Sequence, residues 1–215
     1  MLFVLDGTDK LRGEDTRNFF VEDAEQLLAI DAHVVYTAPL SLKYEGNLTG
    51  KLDADLILPM IKLDEREGSK CEPGRRAMRD ILLKRADRSL FAGEAQIERL
   101  VEHSGGHPRE LLRLLARCCE EAPDNLIDAA TVDLAVNGLA SDYRHFLEPE
   151  DYAALARVDN DPAHTGNDER TRKLLYTLAL MEYNDGSCRR SHPVVRLLEG
   201  YAIAKSRLAA AAPEG

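Results

Sequence analysis

Tryptophan is absent from this chain of 215 residues, and aromatic residues make up only 6% of it. Its core must be built from Leu, Ala and Val, which fits a helix-rich protein. Cysteine is scarce as well. Cys71, Cys118, Cys119 and Cys188 show no CxxC spacing and no accompanying histidine cluster. Neither a zinc site nor a disulfide framework is indicated, so reduced thiols and a cytoplasmic location are the expectation. No apolar run approaches a membrane span, and the first residues lack the basic start of a signal peptide, so no membrane partner is expected. Positive charge is in deficit, with 28 Lys and Arg against 38 Asp and Glu and a formal net charge of −10. That balance disfavours nonspecific binding to nucleic acid, though it leaves room for a local basic face. A hydrophobic content of 44% and a charged content of 31% remain, those of an ordinary globular protein.

What the chain does have comes first. Leu2-Phe3-Val4-Leu5 runs directly into Asp6, and Asp9 follows three residues later. Such a run predicts a strand buried on both faces, as inside a parallel sheet. Its carboxyl end is where open α/β sheets place their ligands. Two carboxylates there suit a magnesium–nucleotide site, one to hold the metal and one to polarise water. The competing reading makes Asp6 and Asp9 no more than a strand-to-helix turn. Asn18 to Ile30 carries a mixed apolar face and predicts a helix, and Ala32 to Ala38 predicts a short β-branched strand stopped at Pro39. Strand, helix and strand of this size make a βαβ unit with parallel strands. Leu56 to Leu63 predicts a third strand, at an edge or bulged because of Pro59.

The sheet signal ends there, and the charged stretch Glu65 to Pro73 marks a boundary. Helices are expected around Met78 to Arg85 and around Ile97 to Val101. The next helix has the sharpest signature: Ser104-Gly105-Gly106 closes its predecessor, Pro108 takes the first position and Glu110 sits at the positive end. A fourth starts at the N-cap Asp128 and runs to about Phe146. Beyond it come a short helix over Pro149 to Val158, a polar loop, and an amphipathic helix over Arg170 to Tyr183. The turn Asn184-Asp185-Gly186, an edge strand or hairpin over Ser187 to Ser191 and a helix opened by His192-Pro193 complete a winged-helix-like module. The Ala-rich stretch Leu208 to Ala212 reads as a frayed helix end.

No phosphate-binding loop of the form GxxxxGK[ST] is present. The nearest match, Gly46 to Leu52, is one residue short and ends in Leu where a hydroxyl is needed, so it is rejected. With that exception, the order of elements resembles the latter part of an AAA+ or STAND-type P-loop ATPase with a helical lid and a winged helix. Leu2 to Leu11 resembles a Walker B strand of the apolar-run-DG-x-D form seen in STAND and NACHT-like proteins. Gly106-His107-Pro108-Arg109-Glu110 resembles the G-x-P-R segment that opens the sensor 2 helix. The resemblance implies an α/β core with a partial parallel sheet at 1–68, a helical lid at 69–147 and the winged-helix-like module at 148–215. It implies ATP as ligand and Mg2+ held by Asp6. Asp9 would be the catalytic base, since Gly7 stands where most AAA+ proteins carry a glutamate. Thr37 would be the sensor 1 residue and Arg109 the sensor 2 residue on the γ-phosphate. It further implies a Walker A segment preceding Met1, without which the chain should not hydrolyse ATP.

Each of these residues has a structural alternative. Arg109 could pair with Glu110 or Glu102, Thr37 could bond to backbone, and His107 and His192 read as caps. Arg75, Arg76 and Arg79 could reach a neighbouring subunit of a homo-oligomer, but an exposed face is the simpler assignment. Arg189, Arg190 and Arg196, with Arg170, Arg172 and Lys173, form the most basic region. DNA is thus a second candidate partner, in a winged-helix regulator without ATPase activity. The acidic whole disfavours it, and packing on the nucleotide domain is the preferred role for the module.

Overall fold

The computed structural model describes all residues except 12, 41, 46–51, 163–165, 167 and 212–215. Most of the rejected loop Gly46 to Leu52 lies outside the described residues, as does Ala212. Contacts divide the chain into two units, residues 1–58 with 167–177, and residues 59–166 with 178–215. Helix predominates, with two small sheets, in an α/β layout followed by a mostly α one.

In the first unit, strand β1 (Leu2–Leu5) pairs in parallel with β2 (His33–Tyr36), with Leu2 opposite His33 and Leu5 opposite Tyr36. The βαβ expectation holds. The crossover is not one regular helix but α1 (Glu14–Arg17), a π-helical turn over Asn18–Glu22 and α2 (Ala24–Leu28). Phe20 and Ala24 are buried on its inner side, and Phe19, Phe20 and Tyr36 meet edge to face. A short α3 (Leu42–Glu45) follows, and α9 (Glu169–Tyr176) also belongs to this unit.

Two sequence expectations fail here. β1 is not buried on both faces, since Leu2, Phe3, Val4 and Leu5 are 38% to 64% exposed. A strand is enclosed only by neighbours on both edges and layers on both faces, and among the described residues β1 pairs with β2 alone. No third strand forms over Leu56 to Leu63 either. Leu56 and Leu58 are more than nine-tenths exposed.

The second unit holds α4 (Glu72–Leu83), α5 (Glu94–His103), α6 (Pro108–Glu121), α7 (Ala129–Phe146) and α8 (Pro149–Asn160). A hairpin of β3 (Leu180–Tyr183) and β4 (Cys188–Ser191) and the final α10 (Glu199–Ala211) complete it. The expected caps are in place: Asp128 accepts the Thr131 N–H at 2.8 Å, and His107 accepts that of Glu110 at 3.2 Å. The core is the face spelled out by helical spacing, with Met78, Leu82, Ile97, Leu100, Leu111, Leu114, Cys118 and Leu139 fully enclosed. The helix expected over Arg170 to Tyr183 stops at Tyr176. Leu178 turns to a φ of 61°, and Leu180 onward becomes β3. An apolar run this short fits helix and strand equally, and the pairing offered by β4 decides it.

Candidate functional site

At the carboxyl end of β1 the chain turns sharply, with Gly7 at a φ of 90°. The turn brings the Asp9 carboxylate back to the end of β2. Thr37, one residue beyond β2, donates its hydroxyl to Asp9 Oδ1 at 3.2 Å and accepts the Gly7 N–H at 3.0 Å. The Thr8 hydroxyl bonds to the Thr37 carbonyl, tying the two strand ends together a second time. Asp6 is exposed, and its Oδ1 accepts the Gly7 N–H at 2.9 Å. Asp6, Asp9 and Thr37, three of the four residues singled out from sequence, therefore stand at one end of one parallel pair. Thr8 was missed. A threonine in a turn carries no signal until the strand beside it is known.

This cluster can contribute to a divalent cation but cannot enclose one. Among the described residues no group of three or more His, Cys, Asp or Glu is placed to hold a metal. Magnesium does not need such a group, because it usually takes one or two carboxylates and fills its other positions with water and substrate phosphates. Asp6 and Asp9 supply two carboxylates, the number such a site takes from protein.

Arg109, the fourth residue, lies in the second unit on the first turn of α6. It is exposed and forms no ion pair among the described residues, since Glu110 pairs with Arg113 instead. The turn before it is tightly built. Gly105 and Gly106 adopt φ of 60° and 81°, which favour glycine. The Gly106 carbonyl accepts the Ile61 N–H at 3.0 Å, and the Gly105 carbonyl accepts the Tyr183 hydroxyl at 2.6 Å. The segment before α4, the start of α6 and the hairpin thus converge on two glycines. Residues 60 and 61, expected in a third strand, spend their N–H groups here and on Glu182.

Other basic residues are assigned differently from the sequence expectation. Arg75 is buried, not on an exposed face, and bonds to Asp64 at 2.8 Å and to the Leu63 carbonyl at 3.1 Å. Arg79 pairs with Glu98. Arg189, expected on the basic face, is 1% exposed and bonds to Glu182 at 2.8 Å, directly across the hairpin. It is unable to touch a nucleic acid.

His192 caps no helix: its Nδ1 accepts the Val194 N–H at 3.2 Å within the turn after β4. The helix expected to open at Pro193 is instead a 3-10 turn over Val195–Leu197 followed by α10. The His192 ring stacks on Tyr143 with centroids 4.9 Å apart, and its Nε2 is buried without a partner. Burial, reinforced by the nearby His107, Arg196, His103 and Arg113, lowers its pKa to about 3. The unfolded chain takes up that proton near the ordinary value of about 6.5, whereas the folded chain resists it. Its contribution to stability is therefore complete above pH 6.5 and is lost as pH falls toward 3. Between pH 6.5 and 5 the loss should be about 2 kcal/mol, read from urea unfolding. A His192→Phe variant should flatten that slope, and an unchanged slope would contradict the assignment.

Comparison of the chain with models of protein families, with curated proteins and with solved structures finds no match. The functional reading therefore rests on the site itself. No helix among the described residues is long and apolar enough to cross a membrane.

Proposed function

We propose that this chain is the C-terminal part of an AAA+/STAND-like ATPase, in which ATP binding and hydrolysis drive a conformational switch. The observation that carries the reading is the grouping of Asp6, Asp9 and Thr37 at the carboxyl end of the parallel β1–β2 pair. Asp6 would hold Mg2+ through water, and Asp9 would orient the attacking water. Thr37, already bonded to Asp9, would respond to the γ-phosphate, and Arg109 would couple the lid to it. Further strands, including the one that carries the phosphate loop, would cover the exposed apolar residues of β1 and those at Leu56 and Leu58. The α8–hairpin–α10 region takes the part of the winged helix, and the cytoplasm is the proposed compartment. The alternative of a DNA-binding winged-helix regulator loses Arg189, its central phosphate contact, to the buried pair with Glu182.

Calorimetric titration tests the proposal. Mg2+ with ATP should bind with a dissociation constant on the order of 1 mM, weak because the phosphate loop is missing. Binding should vanish without Mg2+ and in Asp6→Asn, and no phosphate should be released. Binding that survives Asp6→Asn would contradict the metal role, and turnover by this chain would contradict the need for the missing loop.

A further inference from the structure

In the second unit, a groove of about 440 Å³ runs between the hairpin and α10. Arg66, Arg190, Arg196 and Lys205 line it, with Asp159 the only carboxylate among the described lining residues. Such an excess of positive charge is unexpected on a chain of net charge −10. Elsewhere in this unit arginines commonly sit beside acids: Arg75, Arg79, Arg88, Arg99, Arg113 and Arg117 all have carboxylate partners.

The wall of the groove is organised to leave charge uncompensated. Asp159 accepts the Ser191 N–H at 2.8 Å and the Tyr201 hydroxyl at 2.6 Å, and it pairs with Arg196 at 3.2 Å. Its negative charge is thus absorbed within the wall. Of the two acids that flank Arg66 in sequence, Glu65 is taken by Lys62 at 2.7 Å, and Glu67, which does not line the groove, accepts the Ser69 hydroxyl at 2.9 Å. Arg190 and Arg66 are held by carbonyls instead of carboxylates. Arg190 donates to the Glu65 carbonyl at 2.9 Å and the Arg66 carbonyl at 3.2 Å, and Arg66 donates to that of Ser187. Carbonyl tethers orient a guanidinium without neutralising it. Two tethered forks with donors to spare, beside Lys205 and half-engaged Arg196, match the bidentate geometry and charge of phosphate oxygens.

We propose that this groove binds the phosphate groups of a small phosphorylated ligand, as a site separate from the Asp6–Asp9–Thr37 cluster. A volume of this size suits a small molecule, and the strongly acidic remainder of the chain repels a polyanion such as duplex DNA. The site does not rest on the ATPase reading, because no residue is shared.

Titration with inorganic pyrophosphate, followed by amide chemical shifts, tests the site. Saturable shifts should appear at residues 66, 190, 196 and 205. Affinity should fall at least tenfold in the Arg66→Ala/Lys205→Ala double variant, whose side chains are exposed and whose loss leaves the core untouched. Lys84→Ala, an exposed cation outside the groove, should bind as the parent does. Arg190→Ala should lose binding as well, with its fold checked by circular dichroism. Absence of saturable shifts, equal binding by the double variant, or equal weakening in Lys84→Ala would overturn the proposal. Binding of duplex DNA that pyrophosphate fails to displace would overturn it too.

Discussion

Replacing Gly106 by Ala should destabilise the second unit by about 3 to 5 kcal/mol. A Cβ on Gly106 would lie 1.8 Å from the Ile61 carbonyl oxygen, which is backbone and has no rotamer to escape into. The φ of 81° adds strain of its own, worth about 1 kcal/mol for a residue with a Cβ. Relief requires the segment before α4 to move, which breaks the bond from the Ile61 N–H to the Gly106 carbonyl. Gly68 separates the two costs. It has a φ of 91°, but a Cβ there would meet nothing within 4 Å, so Gly68→Ala should cost only about 1 kcal/mol. Urea unfolding monitored by circular dichroism measures both. Similar costs at the two positions would show that close approach at Gly106 is unimportant.

The second large effect is at the hairpin. Arg189→Met should cost about 3 to 5 kcal/mol, because it removes the guanidinium that offsets the Glu182 carboxylate in a dry interior. Both side chains are 2% exposed, so water does not screen the loss. The guanidinium also donates to the Gly166 carbonyl at 2.6 Å, a bond that Met removes. Removing the pair together is a different matter. Apolar residues of similar volume often replace a buried ion pair at little cost, so Arg189→Met/Glu182→Leu should recover most of the stability. A double variant as unstable as Arg189→Met would mean that the network around Gly166, not charge burial, carries the effect.

Much of the fold was legible because its signals are local. Asp128, His107 and Pro108 mark helix starts through their own chemistry, and the spacing of Leu111, Leu114 and Cys118 specifies which face is buried. The βαβ unit and the parallel direction of its strands follow from the lengths of three neighbouring segments. The failures are all nonlocal. Burial of Leu2 to Leu5 depends on neighbouring strands that four residues cannot specify. Leu180 to Tyr183 becomes a strand because Cys188 to Ser191 lies opposite it. Arg75 and Arg189 look like surface cations until Asp64 and Glu182 are seen beside them. In the candidate site, Asp6 and Asp9 were evident from one motif, and Thr37 from its position at the end of β2. The Thr8 anchor was not. Of the basic groove, Arg190 and Arg196 stood out in the basic region of the sequence, but Arg66, Asp159 and Lys205 come from distant stretches and could not be joined to them.

The central claim is that the end of the β1–β2 pair is half of a magnesium–nucleotide site. Paramagnetic broadening by Mn2+ in the presence of ATP tests it most directly. Amide signals of Gly7, Thr8, Asp9 and Thr37 should broaden selectively when both Mn2+ and ATP are present, and the effect should disappear in Asp6→Asn. Broadening that is absent there, or that Mn2+ causes equally at acidic patches across the chain with no need for ATP, would contradict the account.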